Sequence, residues 1–169
     1  MPRLFSAKVL TLILIALLLD MSVFPWIFPG FFRPVLSYLL IPYVAFEWHW
    51  NRTIPVALLI GFARDLVSVQ FFGIETVSLF CAALGLNFFV QKISINAFSV
   101  KMLGSFFFVF FAVFFNFTIH ACLNFDIHFF HSFLVSFITA LATTLLIPFF
   151  FVFGRHWFQE DFRASARSL

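Results

Sequence analysis

The sequence predicts an all-α integral membrane protein, a bundle of six transmembrane helices forming a single domain over residues 1–169. Hydrophobic residues make up 63% of the chain and charged residues only 10%, whereas soluble domains carry about 25% charged residues. The mean hydropathy is +1.09. The apolar residues form continuous stretches of helical length and lack the alternating pattern of a membrane β-barrel strand.

Six apolar segments follow one another along the chain and give the predicted helices. They are approximately residues 9–24, 35–50, 54–72, 75–91, 102–124 and 130–153, followed by a predicted cytoplasmic tail at 154–169. The first four are at or below the usual span length of about 17–25 residues. Flanking aromatic residues such as Trp26 and Trp48 extend them, because Trp is enriched at membrane interfaces.

Proline and glycine mark several boundaries between these segments. Prolines punctuate the first loop at residues 25–34, and the third helix begins at residues 52–55 with a Thr cap and an early Pro. Gly73 marks a tight turn before the fourth helix. Pro42 and Pro148 fall inside predicted helices and are expected to bend them unless neighbouring groups satisfy the freed carbonyls.

The distribution of basic residues predicts the orientation. With an even number of spans, both termini lie on one side of the membrane. That side would carry most of the basic residues, namely Arg3, Lys8, Arg52, Lys92, Lys101, Arg155, Arg163 and Arg167, and the opposite side would carry Arg33. Cytoplasmic loops are enriched in Lys and Arg. Both termini are therefore predicted to lie in the cytoplasm.

Three charged residues lie deep inside apolar segments, and Glu75, at the start of the fourth segment, belongs with them to the charged set of the outer half. Asp20 belongs to the first segment, and Arg64 and Asp65 belong to the third. A charged residue at the centre of a membrane helix costs about 2.5–3.5 kcal/mol on insertion scales, so such residues usually face the protein interior. In a structural interpretation, the two acids pair with Arg64 and Arg33 and hold helices together. In a functional interpretation, the charges form a proton or ion relay, or a ligand site.

Small and polar residues at helical spacing predict the inward faces of four helices. The third helix presents Gly61, Arg64, Asp65 and Ser68 on one side. The other predicted stripes are Ser78, Ala82 and Gly85 on the fourth helix, Ala112, Asn116 and His120 on the fifth, and Ser132, Ser136, Thr139, Ala140 and Thr143 on the sixth. These stripes indicate a bundle with a partly polar interior.

The sequence shows no recognisable catalytic motif, such as a phosphate loop, a zinc-protease helix or a nucleophile elbow. Asp126, His128 and His131 share one loop, but we interpret three loosely spaced ligands as ordinary polar residues. Basic residues are spread thinly over the loops, unlike the clustered face of a nucleic-acid-binding protein. We therefore expect no enzymatic activity, cofactor, metal or nucleic-acid partner.

Several short motifs resemble the bacterial rod shape-determining protein MreD family. They are Phe32-Arg33-Pro34 before the second helix, Gly61-x-x-x-Asp65-Leu66-x-Ser68 in the third, and Gly73 after it. The size, the six spans and the proline-rich first loop also fit this family. Val69 is a departure, since many relatives carry Gly after the Ser.

The resemblance implies a role in cell shape. Proteins of this family belong to the cell-elongation machinery, which directs lateral peptidoglycan synthesis, with MreC, the MreB filament, RodA and a class B penicillin-binding transpeptidase. It implies a non-catalytic scaffold in the bacterial cytoplasmic (inner) membrane, surrounded by membrane lipid and contacting an MreC-like single-span partner. The family fold is similar to the substrate-binding subunits of energy-coupling-factor transporters, so the alternative is a small-molecule-binding subunit of a vitamin or metabolite transporter.

The resemblance also selects candidate residues. The family-matching positions are Arg33, Pro34, Asp65 and Gly73, and we expect Arg33 and Asp65 to shape the outer region that contacts the MreC-like partner. A membrane enzyme acting on lipid-linked precursors is disfavoured, because no acid–base or metal constellation is visible. The full set of structural or partner-contact candidates is Asp20, Arg33, Pro34, Gly61, Arg64, Asp65, Ser68 and Gly73.

Overall fold

A computed structural model describes residues 7–27, 34–47, 50–67, 72–92, 98–124 and 129–152, and within these ranges all regular secondary structure is helical. The helices are α1 (Ala7–Leu18), a π-helical turn (Leu19–Val23), α2 (Phe24–Ile27), α3 (Leu36–Glu47), α4 (Trp50–Val67), α5 (Ile74–Lys92), α6 (Phe98–Asn124) and α7 (Phe129–Leu145). A last helical segment covers residues 147–152, after an interruption at Leu146 just before Pro148. The all-α prediction is confirmed for the described residues.

Three helical stretches are long and apolar enough to cross a membrane, namely Leu10–Ile27, Ile74–Lys92 and Phe98–Leu123. The helices Leu36–Glu47 and Phe130–Leu145 are apolar but shorter. α4 has 18 residues, but its sequence includes two arginines and an aspartate. These helices agree with a helical membrane protein, and the count of six spans stays a prediction.

The core is centred on α3. Its residues from Ser37 to Ala45 are all buried, and it packs against α1, α4, α5 and α6. A helix that is apolar on every side is stable when its neighbours surround it completely. Pro42 lies inside α3 without ending it. This central helix therefore determines where the polar groups of its neighbours can meet.

α4 and α5 pack closely at Gly61. A Cβ atom added at this buried glycine would lie 2.6 Å from Thr76 Cα, so the close approach requires glycine. The inward face of α5 consists of buried residues at helical spacing, namely Ser78, Leu79, Ala82, Ala83, Leu86 and Asn87. Gly85 is exposed, and a Cβ added there would have no other atom within 4 Å, so its predicted place in the stripe is wrong. The next residue, Leu86, lies about 100° further around the helix and belongs to the buried face.

The small-residue face of α7 packs against α6. All five residues predicted for this stripe, from Ser132 to Thr143, are buried. Two of the hydroxyls are satisfied within the helix, because Ser136 donates to the Ser132 carbonyl and Thr143 to the Thr139 carbonyl, each at 2.7 Å. On α6 the predicted stripe is buried at Ala112, whereas Asn116 and His120 are half-buried.

α1 and its continuation to Ile27 form the most peripheral part of the described bundle. Among residues 10–27 only Ile13 and Ala16 are buried. Leu14, Leu18 and Trp26 are 59%, 57% and 89% exposed. The first helix is therefore attached to the core along a narrow face, next to α3.

Candidate functional site

The amino-terminal end of α3 receives polar groups from other helices. The backbone N–H groups of Leu36 and Ser37 donate to the two carboxylate oxygens of Asp20, at 2.8 and 2.9 Å. The N–H of Val35 donates to Thr143 Oγ1 at 3.1 Å. The first N–H groups of a helix have no partner within the helix. Residues distant in sequence therefore cap α3 from outside.

The position of Asp20 follows from a local irregularity of the first helix. Asp20 lies in the π-helical turn, where the Phe24 N–H bonds to the Leu19 carbonyl across five residues. A π-turn contains an additional residue and changes the direction of the side chains that follow. The Asp20 side chain is 3% exposed. Although Asp20 lies in an apolar segment, its carboxylate is therefore buried against the start of α3 and is not exposed at the surface of the protein.

Arg64 joins this cap to a second acid. Its Nη1 lies 3.5 Å from Asp20 Oδ2 and donates to Ser37 Oγ at 3.3 Å, and its Nη2 lies 3.4 Å from Glu75 Oε1. The guanidinium carbon is 5.0 Å from the ring centroid of Tyr38, within cation–π range. Arg64 and Glu75 are 17% and 18% exposed at their side chains. One arginine of α4 therefore bridges the π-helical turn, α3 and α5.

Glu75 also connects α5 directly to α3. The Tyr38 hydroxyl donates to Glu75 Oε2 at 2.5 Å. Tyr38 is 2% exposed, so its hydroxyl needs a partner inside the protein. Glu75 thus accepts one bond from Tyr38 and one from Arg64 on its two oxygens.

Asp65 caps the amino-terminal end of α5. The N–H groups of Glu75 and Thr76 donate to its two carboxylate oxygens at 3.1 and 3.0 Å, and the Thr76 hydroxyl donates to the second of these oxygens. Asp65 is 2% exposed. Gly73, just before α5, has a φ of 98°, a value that glycine adopts readily. The turn at Gly73 and the contact at Gly61 let the start of α5 approach Asp65.

The residues at the two caps lie far along their helices from Ala7, Trp50 and Glu47. At about 1.5 Å per residue, Asp20 is about 20 Å from Ala7, and Arg64 is about 21 Å from Trp50. Leu36 is about 17 Å from Glu47 by the same measure. A hydrocarbon layer is about 30 Å thick. Within the protein, the Asp20 side chain is 3% exposed and Asp65 is 2% exposed, so bulk water is a poor substitute for their internal partners.

The electrostatic balance of the cluster includes two helix termini. Its side chains are three carboxylates, from Asp20, Asp65 and Glu75, and the guanidinium of Arg64. Each helix amino terminus contributes the equivalent of about half a positive charge. The ends of α3 and α5 therefore offset part of the carboxylate charge. Chemically, the arrangement links the π-helical turn, α3, α4, α5 and α7.

A second ion pair lies at the other end of α3. Lys101 Nζ contacts Glu47 Oε1, and these side chains are 13% and 11% exposed. The ammonium group also lies 5.7 Å from the ring centroid of Phe151. This pair attaches the end of α3 to the first turns of α6.

The structure brings several of the predicted residues together. Asp20 and Arg64 form an ion pair, as the structural interpretation supposes. The Asp65 carboxylate accepts from two N–H groups at the start of α5, and its expected pairing with an arginine stays a prediction. Pro34 is buried, immediately before α3. Arg33 and Ser68, together with Asp126 and His128 of the polar loop, lie outside the described residues.

Some members of the cluster are absent from the predicted set. Tyr38, Ser37 and Thr76 have no charge, and their positions in apolar helices carry no distinguishing sequence signal. Glu75 is part of the charged set assigned to the outer half from the sequence, and an acid in the first turn is favoured at a helix amino terminus. Thr143 was predicted to face inward but not to cap another helix.

No protein-family model, curated protein or solved structure matches this chain.

Proposed function

We propose that the protein is a non-catalytic membrane component of the bacterial cell-elongation machinery, of the MreD type. In this role it scaffolds lateral peptidoglycan synthesis through contact with an MreC-like single-span partner. It has six spans, with both termini in the cytoplasm. The MreB filament, RodA and a class B penicillin-binding transpeptidase belong to the same assembly.

One observation supports this proposal most directly. Three residues that carry the resemblance, Gly61, Asp65 and Gly73, act at the same junction between α4 and α5. Gly61 permits the close approach to Thr76, Asp65 caps α5, and Gly73 provides the turn before α5. A motif whose members all shape one helix junction suits a protein that presents a rigid surface. The same acid in an ion relay would need partners that exchange.

The junction also indicates where a partner helix would bind. Asp65 is almost fully buried, so it acts on a partner only through the surface that it positions. On the outside of this junction, Phe62, Leu66 and Phe72 are 52%, 63% and 64% exposed. The rings of Phe62 and Phe72 pack edge to face, with centroids 5.7 Å apart. We define these three residues as the junction surface and propose that the MreC-like partner contacts it.

Site-specific photocross-linking tests this proposal in living cells. A photoreactive amino acid replaces Leu66 in a tagged chain, and the matched control carries it at Phe111, which is 46% exposed on α6. We expect the Leu66 position to capture an MreC-like protein and the Phe111 position not to capture it. A gentle-detergent pull-down of the same cells should recover that partner with RodA or the transpeptidase.

Two results would overturn the scaffold proposal. Equal capture from both positions, or capture from neither with no elongation protein in the pull-down, would remove its support. Recovery of paired ATPases with a coupling membrane subunit would favour the transporter alternative. Native mass spectrometry adds a direct criterion, because a transporter-binding subunit should retain a vitamin-sized adduct.

A further inference from the structure

We draw no further inference here: the strongest candidate, the apolar groove formed by α1 and its continuation, the start of α3 and the helical segment 147–152, carries nothing because nothing in the structure shows what covers it.

Discussion

The cap formed by Asp65 makes a quantitative prediction about stability. Asp65→Ala leaves two backbone N–H groups and one hydroxyl at the start of α5 without their acceptor. Each buried donor left unsatisfied costs about 1–3 kcal/mol, and loss of a cap typically costs about 1 kcal/mol. Relief of the burial cost of the carboxylate offsets part of this. We expect a net loss of about 2–4 kcal/mol in the free energy of unfolding.

Unfolding of the purified protein in a mild detergent measures this loss, with matched variants as controls. Thr76→Val removes only the hydroxyl donor and should cost about 1 kcal/mol. Leu66→Ala, next to Asp65 but 63% exposed, should change stability by less than about 0.5 kcal/mol. Hydrogen exchange of the Glu75 and Thr76 amides gives a local measurement, and both should lose protection in Asp65→Ala.

A specific result would refute this reasoning. If Asp65→Ala melts like Leu66→Ala and the two amides exchange as in the unmodified protein, Asp65 does not hold α5 in place. The carboxylate would then be available for another task, and the ion-relay interpretation of the buried acids would regain support. Asp65→Asn helps to distinguish these cases, because it keeps one acceptor oxygen but removes the charge. If Asp65 acts as a cap, the stability of this variant lies between those of the unmodified protein and Asp65→Ala.

Three further predictions concern the same framework and use the same unfolding measurement. Gly61→Ala should lower stability because its Cβ would meet the backbone of α5. Gly85→Ala, in open space, should be neutral or stabilise by up to about 1 kcal/mol. Equal effects of the two substitutions would contradict the packing described at Gly61. Asp20→Ala should cost about 2–4 kcal/mol because it uncaps α3 and leaves an arginine with one fewer acid, and an unchanged melting temperature would count against that cap. Lys101→Glu should lower the free energy of unfolding by about 1–3 kcal/mol, because it places two acids together. Adding Glu47→Lys restores an ion pair of reversed charge and should recover part of this loss. If the double variant recovers no stability, loss of the ion pair is not the cause of the destabilisation.

The helical class and part of the inward-facing surface could be predicted from the sequence, because both depend on local patterns. The small residues of α7 from Ser132 to Thr143 repeat at helical spacing, and all five predicted positions are buried. Spacing alone was less reliable at the edge of a stripe. Gly85 differs from the inward Leu86 by one residue, about 100° around the helix, and a small-residue pattern does not fix the centre of the buried face.

The backbone partners of the buried acids could not be predicted, because they depend on tertiary contacts. Opposite charge made an arginine the expected partner of Asp65, and sequence reasoning gave no weight to backbone N–H groups of another helix. Asp20 does approach Arg64, yet two of its hydrogen bonds are also to backbone N–H groups. The π-helical turn that directs Asp20 towards α3 has no recognised sequence signal here. Sequence reasoning therefore identified Asp20 and Asp65 as buried acids, but not the backbone N–H groups that both of them accept from.

The two caps and the arginine between them are best understood together. Deep within an apolar bundle, the first N–H groups of a helix must find acceptors in the protein, since water is scarce there. Asp20 supplies them to α3, and Asp65 supplies them to α5. Arg64 lies next to Asp65 in the chain but contacts Asp20 and Glu75. The same turn of α4 therefore caps α5 and offsets the charge of two acids, one on α5 itself and one in the π-helical turn of the first helix. Each charge is therefore tolerated because the others are present, and removal of any one should affect several helices at once.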